Sequence, residues 1–347
     1  MAPTTAWEVE LGAPITGGAA IARDAEGDLA VFVGTHAGRF VGVTIEGARA
    51  GQIALALDLP GIVWSTPAVD AEGRVYVGVD DDTLYAVDPG QRAIAWALRL
   101  GACDGPRSPG PEGVRCDVDG GPTIGPGGDL YVGADGLYRI DRAGVVRWHF
   151  PNPGDEPRAR HVATAPLVTG DGGALFGGWD GTITAVDGDG RLRWRVSLGP
   201  DVDGAPVLLP SGAAVFGADD GRVIALDREG GERWTYAAGR EIRAALAIAG
   251  DGTVIAASLD GNVHAIDPGG ALRWSYAARG PIAAAPAIDA AGNVFIGSQD
   301  DHVHALDASG RLLWRFEAPE DVDAPVTITP SGALIFGCDD GVLRAIR

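Results

Sequence analysis

Acidic side chains that recur at matching places along the chain are the residues whose types and spacing could do chemistry. One histidine and one arginine share these places. The set comprises Asp117, Asp119, His161, Asp201, Asp203, Glu241, Arg243, Asp321 and Asp323. Carboxylates that converge from several segments could hold a hard cation such as calcium, which takes six to eight oxygen ligands.

A solvated acidic rim is the plainer interpretation of the same residues. Arg158, Arg160 and Arg243 would neutralise part of its charge. No segment matches the loop pattern of a dedicated calcium site. The prediction of a cation site therefore depends only on where the carboxylates fall in the repeat. The sequence favours the rim and keeps the calcium site as an alternative.

Two tryptophans, Trp64 and Trp179, fall close to these acidic residues in the repeat described below. An exposed indole beside carboxylates suits a cationic or aromatic ligand, or a residue that dominates a protein interface. Packing of each ring onto a neighbouring loop fits the sequence equally well. The predicted ligand site consists of these two indoles and the nine residues above.

Catalysis has less support, and no catalytic residue is assigned. His161 with Asp119 or Asp203 could do acid–base chemistry if a closed pocket perturbed a carboxyl pKa. The chain has no lysine, which excludes Schiff-base chemistry. It also has no nucleophile elbow, zinc signature or phosphate loop.

The elements that must position these residues follow from an internal repeat. Tryptophans 40 residues apart mark its second half: Trp194, Trp234, Trp274 and Trp314. Earlier members are Trp7, Trp96 and Trp148, with Leu55 in the place of another. Eight copies of a strand, glycine, turn and strand core accompany them, and each repeat has room for four antiparallel strands, A to D. This spacing predicts an all-β, eight-bladed β-propeller, a single domain over residues 1–347.

The two ends of the chain complement each other in this repeat. The last repeat stops at Arg347, after its C strand, and has no tryptophan strand of its own. The N-terminal segment around Trp7 has the missing pattern. We expect it to complete the last blade, which leaves no open sheet edge.

A second acidic set lies in the turns between the B and C strands. It comprises Asp80, Asp81, Asp82, Asp135, Asp180, Asp219, Asp220, Asp260, Asp300, Asp301, Asp339 and Asp340. Asp before Gly is favourable hairpin chemistry, which explains each turn taken singly. These turns and the A-strand starts share one side of a meander, so we expect one acidic face that attracts basic partners or cations.

Composition narrows the class of protein. The 347 residues include 27 basic and 47 acidic ones, a net charge of -20. Such a surface repels phosphate, so neither nucleic acid nor an anionic membrane is an expected partner. No apolar run approaches the roughly 18 residues that span a bilayer, so membrane insertion is not expected.

The repeat also carries a family resemblance. The segment VYVGVDDDTLYAVDPGQRAIAW resembles the pyrroloquinoline-quinone-like (PQQ-like) repeat, with its LYAVD, glycine turn and tryptophan. Eight such blades, a WD40-like arrangement, resemble the quinoprotein alcohol dehydrogenases and the lipoprotein of the outer-membrane β-barrel assembly machine. Bound PQQ is not expected, because the adjacent cysteine pair of those dehydrogenases is missing from this sequence.

The cysteines bear on the compartment. Cys103 and Cys116 bracket a Pro- and Gly-rich insertion, and a disulfide between them would stabilise that loop by roughly 3 kcal/mol. Unlinked thiols are the alternative, and Cys338 is expected to be a free thiol. The pair and the resemblance favour an extracytoplasmic, periplasmic location, whereas the N-terminal MAPTTAWEVELG lacks the features of a signal peptide.

The sequence therefore predicts a non-catalytic, monomeric interaction or scaffold module that binds a basic protein partner through an acidic face. A ligand- or divalent-cation-binding protein with its site at the channel mouth is the first alternative. An enzyme with its active site there is the second.

Overall fold

The all-β prediction is confirmed. A computed structural model describes residues 3–101, 117–153, 160–162 and 164–347. Within them the chain forms 32 β-strands, arranged as eight four-stranded antiparallel sheets, and a 3-10 turn at Gly47–Arg49. This sheet pattern is that of the predicted eight-bladed β-propeller.

The first four blades follow one another along the chain. Blade I comprises β2 (Ala20–Arg23), β3 (Leu29–Gly34), β4 (Arg39–Thr44) and β5 (Ile53–Asp58). Blade II comprises β6 (Ala68–Val69), β7 (Val75–Val79), β8 (Thr83–Asp88) and β9 (Ala93–Arg99). Blade III comprises β10 (Thr123–Ile124), β11 (Leu130–Gly133), β12 (Gly136–Ile140) and β13 (Val146–Pro151). Blade IV comprises β14 (Leu167–Val168), β15 (Ala174–Gly177), β16 (Thr182–Val186) and β17 (Leu192–Ser197).

The other four blades repeat this order, and the last includes the N-terminal strand. Blade V comprises β18 (Val207–Leu208), β19 (Ala214–Gly217), β20 (Arg222–Leu226) and β21 (Glu232–Ala237). Blade VI comprises β22 (Ala247–Ile248), β23 (Val254–Ala257), β24 (Asn262–Ile266) and β25 (Leu272–Ala277). Blade VII comprises β26 (Ala287–Ile288), β27 (Val294–Ser298), β28 (His302–Leu306) and β29 (Leu312–Glu317). Blade VIII comprises β30 (Thr327–Ile328), β31 (Leu334–Phe336), β32 (Val342–Ile346) and β1 (Thr5–Glu10).

Backbone proximity divides the chain into two compact units. One consists of residues 20–34 and 38–205, which include the strands of blades I to IV. The other consists of residues 1–19, 35–37 and 206–347, which include the strands of blades V to VIII. The single domain over 1–347 stays a prediction.

Burial changes from the inner to the outer strands of a blade. All five residues of β7 are buried, because both faces of this strand pack against apolar side chains. The outer strand β25 alternates between exposed and half-buried residues, so only one of its faces packs. The half-buried Trp274 lies on that packed face, opposite Ala265 of the C strand.

The N-terminal strand completes blade VIII, as predicted. Strand β1 pairs with β32, with Val9 opposite Leu343 and Trp7 opposite Ala345. Trp7 thus takes the register that Trp314 has opposite Ala305 in blade VII. Both edges of β32 are therefore hydrogen-bonded, one to β31 and one to β1.

A glycine near the end of most B strands lets the segment that leads into the next blade cross closely. A Cβ on Gly78 would lie 2.1 Å from the carbonyl oxygen of Val118 and 2.5 Å from its Cγ1. The side chain of Val118 is fully buried there. The crossing places Asp117 and Asp119, on either side of Val118, next to the B–C turn of blade II.

The repeat tryptophans join neighbouring blades within each unit. The indole Nε1–H of Trp148 in blade III donates to the Gly188 carbonyl of blade IV at 3.0 Å. Its ring lies against Gly190, whose φ of +76° and close approach leave no room for a side chain. Trp274 bonds in the same way to the Ala308 carbonyl of blade VII, at 3.1 Å.

Candidate functional site

The segments that lead into the A strands contact the B–C turns through backbone hydrogen bonds. Asp339 N–H donates to the Asp321 carbonyl at 3.1 Å, and Trp179 N–H donates to the His161 carbonyl at 3.3 Å. The two sets of acidic residues seen in the sequence are therefore neighbours in the folded protein. Some of these residues form two carboxylate clusters, one in each unit.

The first acidic cluster consists of Asp80, Asp117 and Asp119, in the unit that contains blades I to IV. One carboxylate oxygen from each lies within 4.8 Å of the other two. Asp117 is only 4% exposed, and Oδ1 of Asp80 is buried without a hydrogen-bond donor among the described residues. Three carboxylates this close form a donor set of the type that a divalent cation binds.

His161, Trp179 and Asp203 continue from this cluster in the same unit. His161 is fully buried, with Nε2 3.7 Å from Oδ2 of Asp119 and its ring centroid 4.3 Å from that of Trp179. The Trp179 indole donates to Oδ1 of Asp203 at 2.7 Å. The 3.7 Å separation from Asp119 is longer than a hydrogen bond, and Oδ1 of Asp203 accepts the indole N–H.

Trp64 and Asp201 complete the predicted residues of this unit. Trp64 is 40% exposed and follows Val63, the buried residue that crosses at Gly34. Asp201 is half-buried and precedes Val202, which crosses at Gly177 in the same way. Both residues therefore lie at the A-strand starts, as predicted from the repeat.

The second acidic cluster consists of Asp321, Asp323 and Asp339, in the unit that contains blades V to VIII. The amide nitrogen of Gln299 donates to both carboxylate oxygens of Asp323, at 3.1 Å each. Oδ1 of Asp339 is buried and receives no hydrogen bond from the described residues. Among those residues, no arginine or histidine forms an ion pair with these three carboxylates.

The carboxyl pKa values of the second cluster are raised, in keeping with the absence of a paired arginine or histidine among the described residues. Burial, with the nearby Asp323 and Asp321, raises the pKa of Asp339 from 3.8 to about 6. Burial, followed by repulsion from Asp323, also raises the pKa of Asp321, and burial raises that of Asp323. Repulsion and burial favour the neutral acids, so a bound cation would release protons here.

Glu241 and Arg243, two other predicted residues, are in a different electrostatic environment. Arg243 forms an ion pair with Asp219 at 3.0 Å, across the A-strand start of blade VI and the B–C turn of blade V. Arg240 pairs with Glu241 at 3.2 Å. A hydrogen bond from its own backbone N–H and the charge of Arg240 lower the pKa of Glu241. This part of the predicted rim is neutralised.

The aspartate two positions before the start of a C strand has a structural role. Asp81, Asp260 and Asp340 each accept a backbone N–H from the residue two positions later, which caps the turn. Asp340 also holds the buried Arg344 of the C strand at 2.9 Å. The hairpin interpretation therefore holds for this position of the turn.

Histidines of the C strands belong to the same turn structure. His304 Nε2 lies 3.0 Å from Oδ1 of Asp300, and its Nδ1 lies 2.9 Å from the Tyr276 hydroxyl. His264 has matching partners in Asp260 and Tyr236. Burial lowers the pKa of His304. Each imidazole thus joins the B–C turn of its own blade to the D strand of the preceding blade, since Tyr236 belongs to blade V and Tyr276 to blade VI.

Two members of the clusters, Asp80 and Asp339, belong to the B–C turn set of the sequence and not to its predicted ligand site. Asp339 is the first of two consecutive aspartates and Asp80 is the first of three, and in both turns the second caps the hairpin. A run of aspartates in one turn is the signal that could have pointed to them. A single capping carboxylate satisfies a turn, so neither Asp80 nor Asp339 is needed as the cap.

The three cysteines divide between described and undescribed parts of the chain. Cys103 and Cys116, and with them the predicted disulfide, lie outside the described residues, as does Arg158. Cys338 is a buried free thiol whose S–H donates to the Glu320 carbonyl at 3.2 Å. Burial raises the pKa of this thiol.

The described part of the chain contains no helix long and apolar enough to cross a membrane.

Comparison with solved structures shows the same fold across nearly the whole chain. BamB from Moraxella catarrhalis superimposes with a TM-score of 0.75 at 18% identity, over 99% of both chains. The Sqt1 protein of Saccharomyces cerevisiae has a TM-score of 0.76 at 12% identity, over 99% of both. A europium-containing methanol dehydrogenase has a TM-score of 0.73 at 12% identity, over 97% of this chain and 85% of its own.

Sequence comparison identifies the family. No curated protein sequence matches this chain. The family described as outer membrane protein assembly factor BamB matches residues 2–202, 179–265 and 219–347. These ranges cover almost the entire chain, and they confirm the PQQ-like repeat inferred from the sequence. The protein therefore belongs to the BamB family of PQQ-like repeat β-propellers.

Proposed function

We propose that this protein is a non-catalytic interaction module that binds a protein partner with a basic surface through an acidic face. The family is described as an assembly factor, which supports an interaction role. The acidic face is formed by the A-strand starts and the B–C turns. The observation that carries the proposal is the second acidic cluster, where burial and neighbouring carboxylates raise the pKa of Asp339 to about 6.

A basic partner would relieve this repulsion. An arginine or lysine beside Asp321, Asp323 and Asp339 favours their ionised forms, so binding is coupled to proton release. The association should weaken with salt, because the attraction is electrostatic and partly exposed. It should also weaken below about pH 6, where Asp339 becomes protonated.

A charge-matched pair of variants tests this site with a tetra-arginine peptide as the probe. In the first, Asp321→Asn, Asp323→Asn and Asp339→Asn remove three charges from the cluster. In the control, Glu229→Gln, Glu232→Gln and Glu317→Gln remove three exposed charges elsewhere. We expect titration calorimetry at low salt to show a loss of affinity of at least about tenfold for the first variant alone, about 1.4 kcal/mol. Equal losses would mean that net charge, not this cluster, binds the peptide.

Divalent-cation binding at the first acidic cluster is the second candidate. The observation that favours it is the mutual distance of the carboxylate oxygens of Asp80, Asp117 and Asp119, all within 4.8 Å. Asp119 also lies 3.7 Å from the His161 ring nitrogen, and Asp203 holds Trp179 next to that ring. Calcium is the cation we propose, because its preferred ligands are oxygens.

A melting experiment tests the calcium site. Calcium should raise the melting temperature of the wild-type protein by several degrees, and EDTA should reverse the rise. Asp80→Asn should abolish the effect, whereas Asp219→Asn, in the neutralised region, should retain it. Identical curves with calcium and with EDTA would exclude calcium binding here. We propose no bound PQQ, because none of the three cysteines is adjacent to another.

We also propose an extracytoplasmic, periplasmic location and a monomeric state. The family description, which refers to the outer membrane, supports the location. Mass spectrometry after alkylation without reductant should show Cys103 and Cys116 unmodified and linked if the protein matures in an oxidising compartment. Alkylation of both would contradict it. Sedimentation analysis should give the mass of one chain, 35.5 kDa.

A further inference from the structure

A cavity between blades VI and VII is a candidate ligand site outside the acidic clusters. Its volume is about 300 Å³. Its walls include Trp274 and Ile255 of blade VI, and the A–B turn of blade VII around Gly292. A cavity of about 150 Å³ suffices for a benzene ring, so one aromatic ring fits here.

The repeat shows what occupies this space in other blades. Tyr131 of blade III packs against Trp148 with ring centroids 5.9 Å apart, and Tyr76 packs against Trp96 at 5.8 Å. Tyr131 pairs with Thr123, the first residue of its A strand. Ile255 pairs in the same register with Ala247. Blade VI therefore has an aliphatic side chain where blades II and III have a phenol ring.

The group that binds the tyrosine hydroxyl has a counterpart in the cavity wall. Tyr131 donates its O–H to the Gly172 carbonyl, in the A–B turn of the next blade, at 2.7 Å. Gly292 holds the matching place in blade VII. Its N–H closes the turn on Asp289 at 3.0 Å, as that of Gly172 does on Thr169 at 2.9 Å. Blade VI thus keeps the surroundings of the phenol without the phenol.

The charges at the cavity are already paired. Asp251 forms an ion pair with Arg273 and accepts the Thr253 hydroxyl at 2.6 Å. The hydroxyl and backbone N–H of Thr253, with Arg273, lower the pKa of Asp251 to about 2, so it stays ionised at neutral pH. The Trp274 indole N–H is held by Ala308. A neutral ring suits these walls better than a charged one, because a charge here would have no free counterion.

A second cavity, beside Trp234 in blade V, shows the contrast. Val215 holds the register position of Tyr131 there. This second cavity has a volume of about 390 Å³, and its walls include Asp227, Glu229, Arg228 and Arg233. These charged walls do not suit a neutral ring, so the inference concerns the Trp274 cavity.

We propose that the cavity beside Trp274 binds a neutral phenol ring, which packs on the indole and donates its hydroxyl to the Gly292 carbonyl. The ring could belong to a free small phenol or to a tyrosine side chain of another polypeptide. The two sources share this chemistry. The proposal does not depend on the acidic clusters, since it uses none of their residues.

The test is an NMR titration of the intact, isotope-labelled protein with p-cresol, observing the assigned indole N–H signals. The signal of Trp274 should shift saturably, with a dissociation constant on the order of 1 mM, as expected for a ligand of this size. The signal of Trp148, whose ring is already covered by Tyr131, is the internal control and should not shift. No saturable shift at Trp274, or equal shifts at both indoles, would overturn the proposal.

Filled-cavity variants and related ligands complete the experiment. Ile255→Phe should abolish the shift, and Ile255→Tyr, which copies blade III, is the alternative if the first variant does not fold. Retained binding in a folded variant would contradict the location. Benzylammonium should bind more weakly than p-cresol. A tripeptide, acetyl-Gly-Tyr-Gly-amide, distinguishes the sources, since its binding supports a chain-borne tyrosine and its failure restricts the site to free phenols.

Discussion

The A-strand starts of blades VI and VIII have the same backbone but opposite electrostatics. In blade VI, Arg243 lies beside Asp219 of the preceding turn and neutralises it. At the A-strand start of blade VIII, Asp323 takes the place of Arg243. In the preceding B–C turn, which belongs to blade VII, Gln299 takes the place of Asp219. Burial, followed by the charges of neighbouring carboxylates, raises the pKa of Asp339 in the B–C turn of blade VIII. The repeat thus gives both blades the same backbone, whereas the residues that depart from it set the local charge.

Removal of strand β1, which completes blade VIII, should have the largest effect on either of the two blades compared. Deletion of residues 1–12 exposes the edge of β32 and removes the ion pair between Glu8 and the buried Arg344, which join at 3.1 Å. We expect the melting temperature to fall by more than about 10 °C, because several kcal/mol of pairing and packing are lost. Deletion of residues 1–3 is the control and should change it little. An unchanged melt after the longer deletion would show that blade VIII does not need β1.

Alanine at the glycines where chain segments cross tests whether the backbone is the same at the A-strand starts of blades VI and VIII. A Cβ on Gly217 would lie 2.3 Å from Cγ2 of Ile242, and one on Gly297 would lie 2.3 Å from the Val322 carbonyl oxygen. Each substitution should lower the free energy of unfolding in urea by about 1 to 3 kcal/mol. Gly250→Ala, with nothing within 4 Å of the new Cβ, is the control. A strong effect at one crossing and none at the other would mean that the backbones differ.

Removal of one charge from each region should change stability in opposite directions. The pKa of Asp339 in the folded protein, about 6, exceeds its ordinary 3.8. The contribution of Asp339 to the free energy of unfolding is therefore fully present below pH 3.8 and is lost as the pH rises through 6. Asp339→Asn should therefore raise the free energy of unfolding at pH 7.5 by roughly 1 to 2 kcal/mol, allowing for solvent screening, and change it little at pH 3.5.

The matching change in blade V is Asp219→Asn, which leaves Arg243 without its ion pair. Because that pair is partly exposed, we expect a loss of about 1 kcal/mol or less at pH 7.5. Urea unfolding of both variants at two pH values measures the difference. Changes of the same sign at pH 7.5 would contradict the electrostatic contrast.

Much of the fold could be predicted from the sequence, because each blade repeats the same strand and turn chemistry. The register of Trp7 in blade VIII followed from the repeat and from where its last C strand ends. The reason for glycine at the end of a B strand did not follow. Gly78 is needed because Val118, 40 residues later, crosses at that point, and such a contact leaves no local pattern.

The candidate site was predicted only in part for a similar reason. The sequence placed Asp321 and Asp323 at an A-strand start, but it could not tell that Gln299 would be their neighbour from another blade. Asp339 and Asp340 look alike in sequence, yet Asp340 holds Arg344 whereas Asp339 lies among carboxylates. Pairing across blades decides which charges are neutralised, and pairing is a property of the folded chain.

The titration of Asp339 is the most direct test of the proposed interaction site. Carboxyl-carbon NMR, with the signal assigned by its loss in Asp339→Asn, should give a pKa of about 6 in the free protein. Saturation with tetra-arginine should lower this pKa by about one unit or more, because the bound cations stabilise the carboxylate. An ordinary pKa near 3.8 in the free protein, or a raised value that the peptide leaves unchanged, would contradict the account.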